Sequence, residues 1–121
     1  MKKKIIFCFD IDNTICDTKK SNYLKSKPIY SSIKVINHLY DKGHIIKIYT
    51  ARFMGRNNEN RHLAKKQGLT MTKEQLKKWN LNYDELIFGK PSYDLFIDDK
   101  NFGFKKNWAF KLKKYIDFKR K

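Results

Sequence analysis

The stretch KIIFCFDIDNTIC, Lys4 to Cys16, ends a run of apolar residues with two carboxylates, Asp10 and Asp12. From Ile5 to Phe9 the run is β-branched or aromatic at most positions, the pattern of a central parallel strand covered on both faces. Paired acids at the end of such a strand are costly in a core, so they point to a site at the strand's carboxyl end. Further along, Ile33, Ile36 and Tyr40 recur at helical spacing beside Val35 and Leu39, from Ser31 up to a stop at Gly43. HIIKIYTAR then reads as a second strand through Tyr49, and a strand–helix–strand order with so long a crossover implies parallel pairing. The polar stretch MGRNNENRH reads as a loop, and Thr72 three residues before Gln75 as a capping box opening a short helix toward Trp79. ELIF and DLFI read as two more short strands around GKPSY, and Asn107 as the cap of a last helix carrying Trp108, Leu112 and Tyr115. With 121 residues, the expectation is one α/β domain over 1–121, Rossmann-like and three-layered, with a mainly parallel four-stranded sheet.

Composition narrows the function less than the pattern does. The formal net charge is +16, from 28 Lys+Arg against 12 Asp+Glu, which raises an anionic partner. The lysines are scattered along the chain, however, and no aromatic cluster interleaves with them as a nucleic-acid stacking platform requires. Cys8 and Cys16 are too few for a disulfide framework and read as reduced thiols. Asp10 interrupts the first apolar run too early for a signal peptide, and no later run could span a membrane, so a cytoplasmic protein is expected. His38, His44 and His62 are spread over a helix, a strand start and a loop, which does not suggest a histidine metal site.

Four segments bring chemistry to one sheet edge. Asp10 and Asp12 leave the first strand, Thr50 and Arg52 the second, Lys90 follows the third, and Asp98 and Asp99 end the fourth. Carboxylates from two strand ends suit Mg²⁺, a hard cation that often shares its shell with a substrate phosphate. A carboxylate beside it can take a phosphoryl group as nucleophile, the role suited to Asp10, while Asp12 can exchange protons with leaving group and water. A hydroxyl and an ammonium, those of Thr50 and Lys90, can balance charge on the transferred group. Arg52 is a further candidate for substrate contact.

DIDNT, YTAR, GKP and FIDD, in this order, resemble the four motifs of the haloacid dehalogenase superfamily of phosphohydrolases. The resemblance implies Asp10 as nucleophile, Asp12 as acid/base and as a metal ligand through its backbone carbonyl, and Thr50, Lys90 and Asn13 as phosphate binders. Asn13 stands where many members carry Gly. Asp98 and Asp99 would complete the Mg²⁺ site, Asp99 as the preferred direct ligand. More narrowly, TARFM, QLKKW, FGKP and FIDDK look like small capless phosphatases of capsule and surface-polysaccharide biosynthesis, with a sugar phosphate or similar small metabolite as substrate. A polynucleotide 3′-phosphatase of the same fold and a non-catalytic binding protein are the alternatives. Larger members of the superfamily insert a cap domain over the substrate. Between Thr14 and Ser31, and between Arg52 and Tyr83, there is room only for a flap and a short helical excursion, so no large cap domain is expected. The site should therefore be open unless a second subunit covers it.

Overall fold

A computed structural model describes residues 3–119. Its sheet has three parallel strands in the order β1 (Ile6–Phe9), β4 (Ile45–Thr50), β5 (Glu85–Phe88). Ile6 faces Ile45 and Phe9 faces Ile48 in one ladder, and Thr50 faces Phe88 in the other. Between β1 and β4 lie β2 (Cys16–Asp17), β3 (Lys27–Pro28) and α1 (Tyr30–Asp41); α2 (Arg61–Lys78) joins β4 to β5, and α3 (Trp108–Lys119) follows. The two short strands pair antiparallel, Cys16 with Pro28 and Asp17 with Lys27, and form the expected flap.

Local chemistry sets the element ends. α1 buries Ile33, Ile36 and Leu39. It stops where Gly43 takes φ +90°, with the His44 N–H donating to the Leu39 carbonyl and that of Gly43 to Tyr40, the paired bonds of a left-handed helix stop. Asn80, at φ 58°, does the same for α2: Leu81 N–H bonds Leu76 and Asn80 N–H bonds Lys77. At its start α2 is capped by Asn60, whose side chain accepts from Leu63 N–H at 3.1 Å. The expected short helix from Thr72 is thus the last part of an 18-residue helix, whose first two residues, Arg61 and His62, are the last two of the expected polar loop. Thr72 is not a cap but a buried residue inside it.

Residue alternation decides which face is covered. Phe7 and Phe9 of β1, Ile46 and Ile48 of β4, and Leu86 of β5 share one face in register, and they pack with Ile33, Ile36 and Leu39 of α1, Leu76 of α2, and Trp108 and Leu112 of α3. Burial of this contiguous apolar face is the main favourable term in folding, at roughly 25 cal/mol per Å². On the other face Ile6 is 61% exposed, and Cys8 and Glu85 are exposed as well.

Three expectations are corrected here. DLFI is not a strand: Asp94 to Ile97 have no sheet partner, and Leu95 and Ile97 are 78% and 87% exposed. β1 is consequently an edge strand rather than a central one. The sheet is covered by helices on one face, not two. One physical cause accounts for all three. A parallel crossover takes about a dozen residues or more, and residues 89–93 are too few to carry the chain from β5 to another parallel position. The strands therefore advance in one direction only, and right-handed crossovers place α1 and α2 on the same side.

Candidate functional site

The carboxyl end of β1 runs into a tight turn. The Ile11 carbonyl accepts from Thr14, Ile15 and Cys16 N–H, while Asn13, at φ 64°, donates its N–H to the Cys16 carbonyl at 2.7 Å. Asn tolerates this left-handed geometry better than most residues because its short side chain bonds locally. Here the Asn13 Oδ1 accepts from Thr18 N–H at 3.1 Å. The turn leaves Asp10 and Asp12 on one cleft of about 400 Å³, lined also by Asn13, Thr18, Lys20, Tyr23, Arg52, Lys90 and Tyr93.

Lys90 reaches this cleft because Gly89 adopts φ +105° directly after β5, and a Cβ there would collide with the Arg61 side chain. The Lys90 N–H then donates to the Thr50 carbonyl at 3.1 Å, and its Nζ sits 3.8 Å from Asp10 Oδ1. Nζ also lies over the Tyr93 and Phe96 rings, 5.1 and 5.2 Å from their centroids. Burial pushes the Asp10 carboxyl above the ordinary aspartate value, opposed by Lys90 and by the Ile11 N–H.

Asp12 is held by more donors. Arg52 grips it with Nη2 to Oδ1 at 2.9 Å and Nε to Oδ2 at 3.0 Å, and the Thr18 hydroxyl donates to Oδ1 at 2.6 Å. Arg52 itself is 1% exposed. Its Nη1 donates to Gln75 Oε1 at 2.7 Å and to Thr72 Oγ1 at 3.3 Å, and its guanidinium lies 4.9 Å from the Tyr23 ring centroid. The guanidinium ties the β1 turn, α2 and the flap together. Gln75 Nε2 closes the link by donating to the Tyr23 carbonyl at 2.8 Å.

Of the residues expected at the site, Asp10, Asp12, Asn13, Arg52 and Lys90 line the cleft. Arg52 lies there as a buried partner of Asp12, not as an arm extended to a substrate. Thr50 is fully buried behind the wall, its Oγ1 accepting from Arg52 N–H at 3.0 Å. Asp98 and Asp99 do not line the cleft. They lie in an exposed turn, where hydrogen bonds from Lys100 N–H and Asp99 hold the Asp98 carboxyl below the usual aspartate range. Sequence reasoning missed Thr18, Lys20, Tyr23, Gln75 and Tyr93. Gln75 was read only as part of a capping box and of QLKKW, and the others belong to no spaced motif, so the folded contacts single them out.

As a test of Mg²⁺, the donor set falls short. Among the described residues no three of His, Cys, Asp and Glu converge in a way that could hold a metal. In the cleft, Asp12 is already matched by Arg52, and Asp98 and Asp99, the carboxylates expected to complete the site with Asp10, do not line it. These residues, as placed, do not assemble a Mg²⁺ site.

No family model matches the chain, and no curated protein matches it. Among solved structures, the crystal structure of a structural-genomics target from Vibrio cholerae is similar, with a TM-score of 0.78 and 24% identity over 95% of this chain and 98% of that one. Likeness at this identity concerns the fold: a small α/β domain with a parallel three-stranded sheet and three helices, consistent with a Rossmann-like arrangement. Among the described residues no helix is long and apolar enough to cross a membrane.

Proposed function

We propose that the protein is a phosphomonoesterase of the haloacid dehalogenase type, acting through an aspartyl-phosphate on a small phosphorylated metabolite such as a sugar phosphate of surface-polysaccharide synthesis. The observation that carries this reading is the approach of Lys90 Nζ to Asp10 Oδ1 at 3.8 Å, across strands β1 and β5 and beside Asp12 in one cleft. A carboxylate next to an ammonium at strand carboxyl ends suits attack on a dianion: Lys90 offsets the charge of the incoming phosphate that would otherwise repel Asp10.

In this mechanism an Asp10 oxygen attacks phosphorus, the P–O bond to the leaving group breaks, and Asp12, entering the step protonated, gives that proton to the leaving oxygen and becomes the carboxylate. Water then attacks the phosphorus of the aspartyl-phosphate, Asp12 takes back a proton, and inorganic phosphate departs with Asp10 restored. Oδ2 is the oxygen suited to the proton, since Oδ1 accepts from Thr18 and Arg52 while Oδ2 accepts from Arg52 Nε only. The burial that raises Asp10 also removes water from its lone pairs, and Lys90 keeps the ionised form accessible. Mg²⁺ is proposed as cofactor from the motif resemblance alone, and no step above runs through it.

Phosphate release from a panel of sugar phosphates, nucleotides and 3′-phosphorylated oligonucleotides, with Mg²⁺ present, tests the reading. Asp10→Asn should cut turnover by more than about a thousandfold while the fold survives. Turnover at the wild-type rate by folded Asp10→Asn protein, or no release from any phosphomonoester by the wild type, refutes it.

A further inference from the structure

The flap contributes cationic and N–H groups that phosphoryl transfer does not use. Lys20 and Ser21 are successive residues in left-handed geometry, φ 50° and 59°, and both line the cleft with Asp10, Lys90 and Tyr93. Such a conformation is strained for a non-glycine residue, and here two adjacent residues adopt it. The turn is pinned: Asn22 N–H donates to the Lys19 carbonyl at 2.9 Å, and Arg56 Nη2 donates to the Ser21 carbonyl at 3.2 Å while stacking on Tyr23 and Phe53. Successive backbone N–H groups in a turn form a concavity suited to an anion. Neither the Lys20 nor the Ser21 N–H donates to any protein group among the described residues.

Cation pairing in the cleft is uneven. Arg52 is matched by Asp12 and Lys90 approaches Asp10, but the Lys20 ammonium has no ion-pair or hydrogen-bond partner among the described residues. A phosphomonoester offers one dianion, which Lys90 meets. Lys20 remains for something else.

We infer that the substrate's leaving group carries a second anionic group, a carboxylate or a further phosphate, bound by the Lys20 ammonium and the Lys20–Ser21 backbone N–H groups on the flap. The inference rests on the phosphomonoesterase reading of the cleft and names its substrate class: small bis-anionic phosphate esters.

The test compares glucose 6-phosphate with 6-phosphogluconate, an open-chain ester in which C1 is a carboxylate instead of the hemiacetal carbon. Binding is measured by calorimetry on Asp10→Asn protein and hydrolysis on the otherwise wild-type enzyme. A charge-assisted contact at an exposed lysine predicts about fivefold tighter binding of 6-phosphogluconate and a similar advantage in kcat/KM. Lys20→Gln should bring both ratios close to one. Lys25→Gln, which removes the same charge from the flap outside the cleft, should leave the ratios as they are. Equal binding of the two esters by the Lys20-bearing protein, a preference that survives Lys20→Gln, or an equal loss in Lys25→Gln overturns the inference. If neither ester is hydrolysed, the binding ratio still decides the subsite, and the phosphatase reading is decided separately by the full phosphomonoester panel.

Discussion

Arg52→Met is the most informative single perturbation, because it removes a buried guanidinium and leaves most of the local shape. The side chain of Arg52 is 0% exposed and that of Asp12 is 21% exposed, so the pair is largely desolvated but keeps one wet edge. Removing one partner of a buried pair costs about 3–5 kcal/mol, mainly through the charge left unmatched. Water at Asp12 puts the expected loss near the lower end, about 3 kcal/mol. Lost bonds to Gln75 and Thr72 act in the same direction, and the apolar methionine offsets part of them. For a domain of this size that corresponds to a fall in Tm of about 12 °C. Arg52→Lys keeps the charge but not the two-pronged grip, and should lose about 2 kcal/mol. The double variant Asp12→Asn/Arg52→Met should recover part of the loss, giving a coupling energy of about 2 kcal/mol in a mutant cycle followed by urea unfolding. A loss below about 1 kcal/mol for Arg52→Met, or a coupling energy near zero, would refute the view that this pair organises the site.

Other perturbations address the site more directly. Because burial raises Asp10 in the folded state, its contribution is fully present below the unfolded value and lost as pH rises through the folded one; Asp10→Asn should therefore raise Tm at neutral pH and change it little in acid, and the reverse pattern in thermal melts would contradict the assigned burial. By the same shift, the acid limb of the kcat/KM profile should fall above the ordinary aspartate value. Gly89→Ala must place a Cβ at φ +105° against Arg61, and should lose about 1–3 kcal/mol and lower kcat/KM by displacing Lys90; unchanged stability and activity would count against that strained approach. Chelator-resistant phosphate release would exclude the Mg²⁺ that the motif resemblance implies, whereas release abolished by chelator and restored by Mg²⁺ would require ligands beyond those the cleft presents. For a small substrate kcat/KM should weaken only mildly with salt, while tight oligonucleotide binding with a steep salt slope would favour the polynucleotide reading.

What the sequence determined by itself is local. The runs at Ile6–Phe9, Ile45–Thr50 and Glu85–Phe88 are strands because β-branched and aromatic residues are concentrated there, and α1 ends at Gly43 because the stop needs a positive φ. That Asp10 and Lys90 meet at one sheet edge was legible because strand ends in a parallel sheet converge whatever lies between them. The length of α2 was not legible. Its buried residues, Ala64, Gly68, Thr72 and Leu76, repeat every fourth position but are mostly small, and at Gly68 a side chain would collide with Phe53 and Phe88. Only the tertiary structure decided that Arg52 turns inward to Asp12, since a polar stretch carries no mark of which charge will find a partner. The fate of DLFI was decided there too: an apolar run states that a strand could form, but whether it pairs depends on whether the chain before it can reach a free edge.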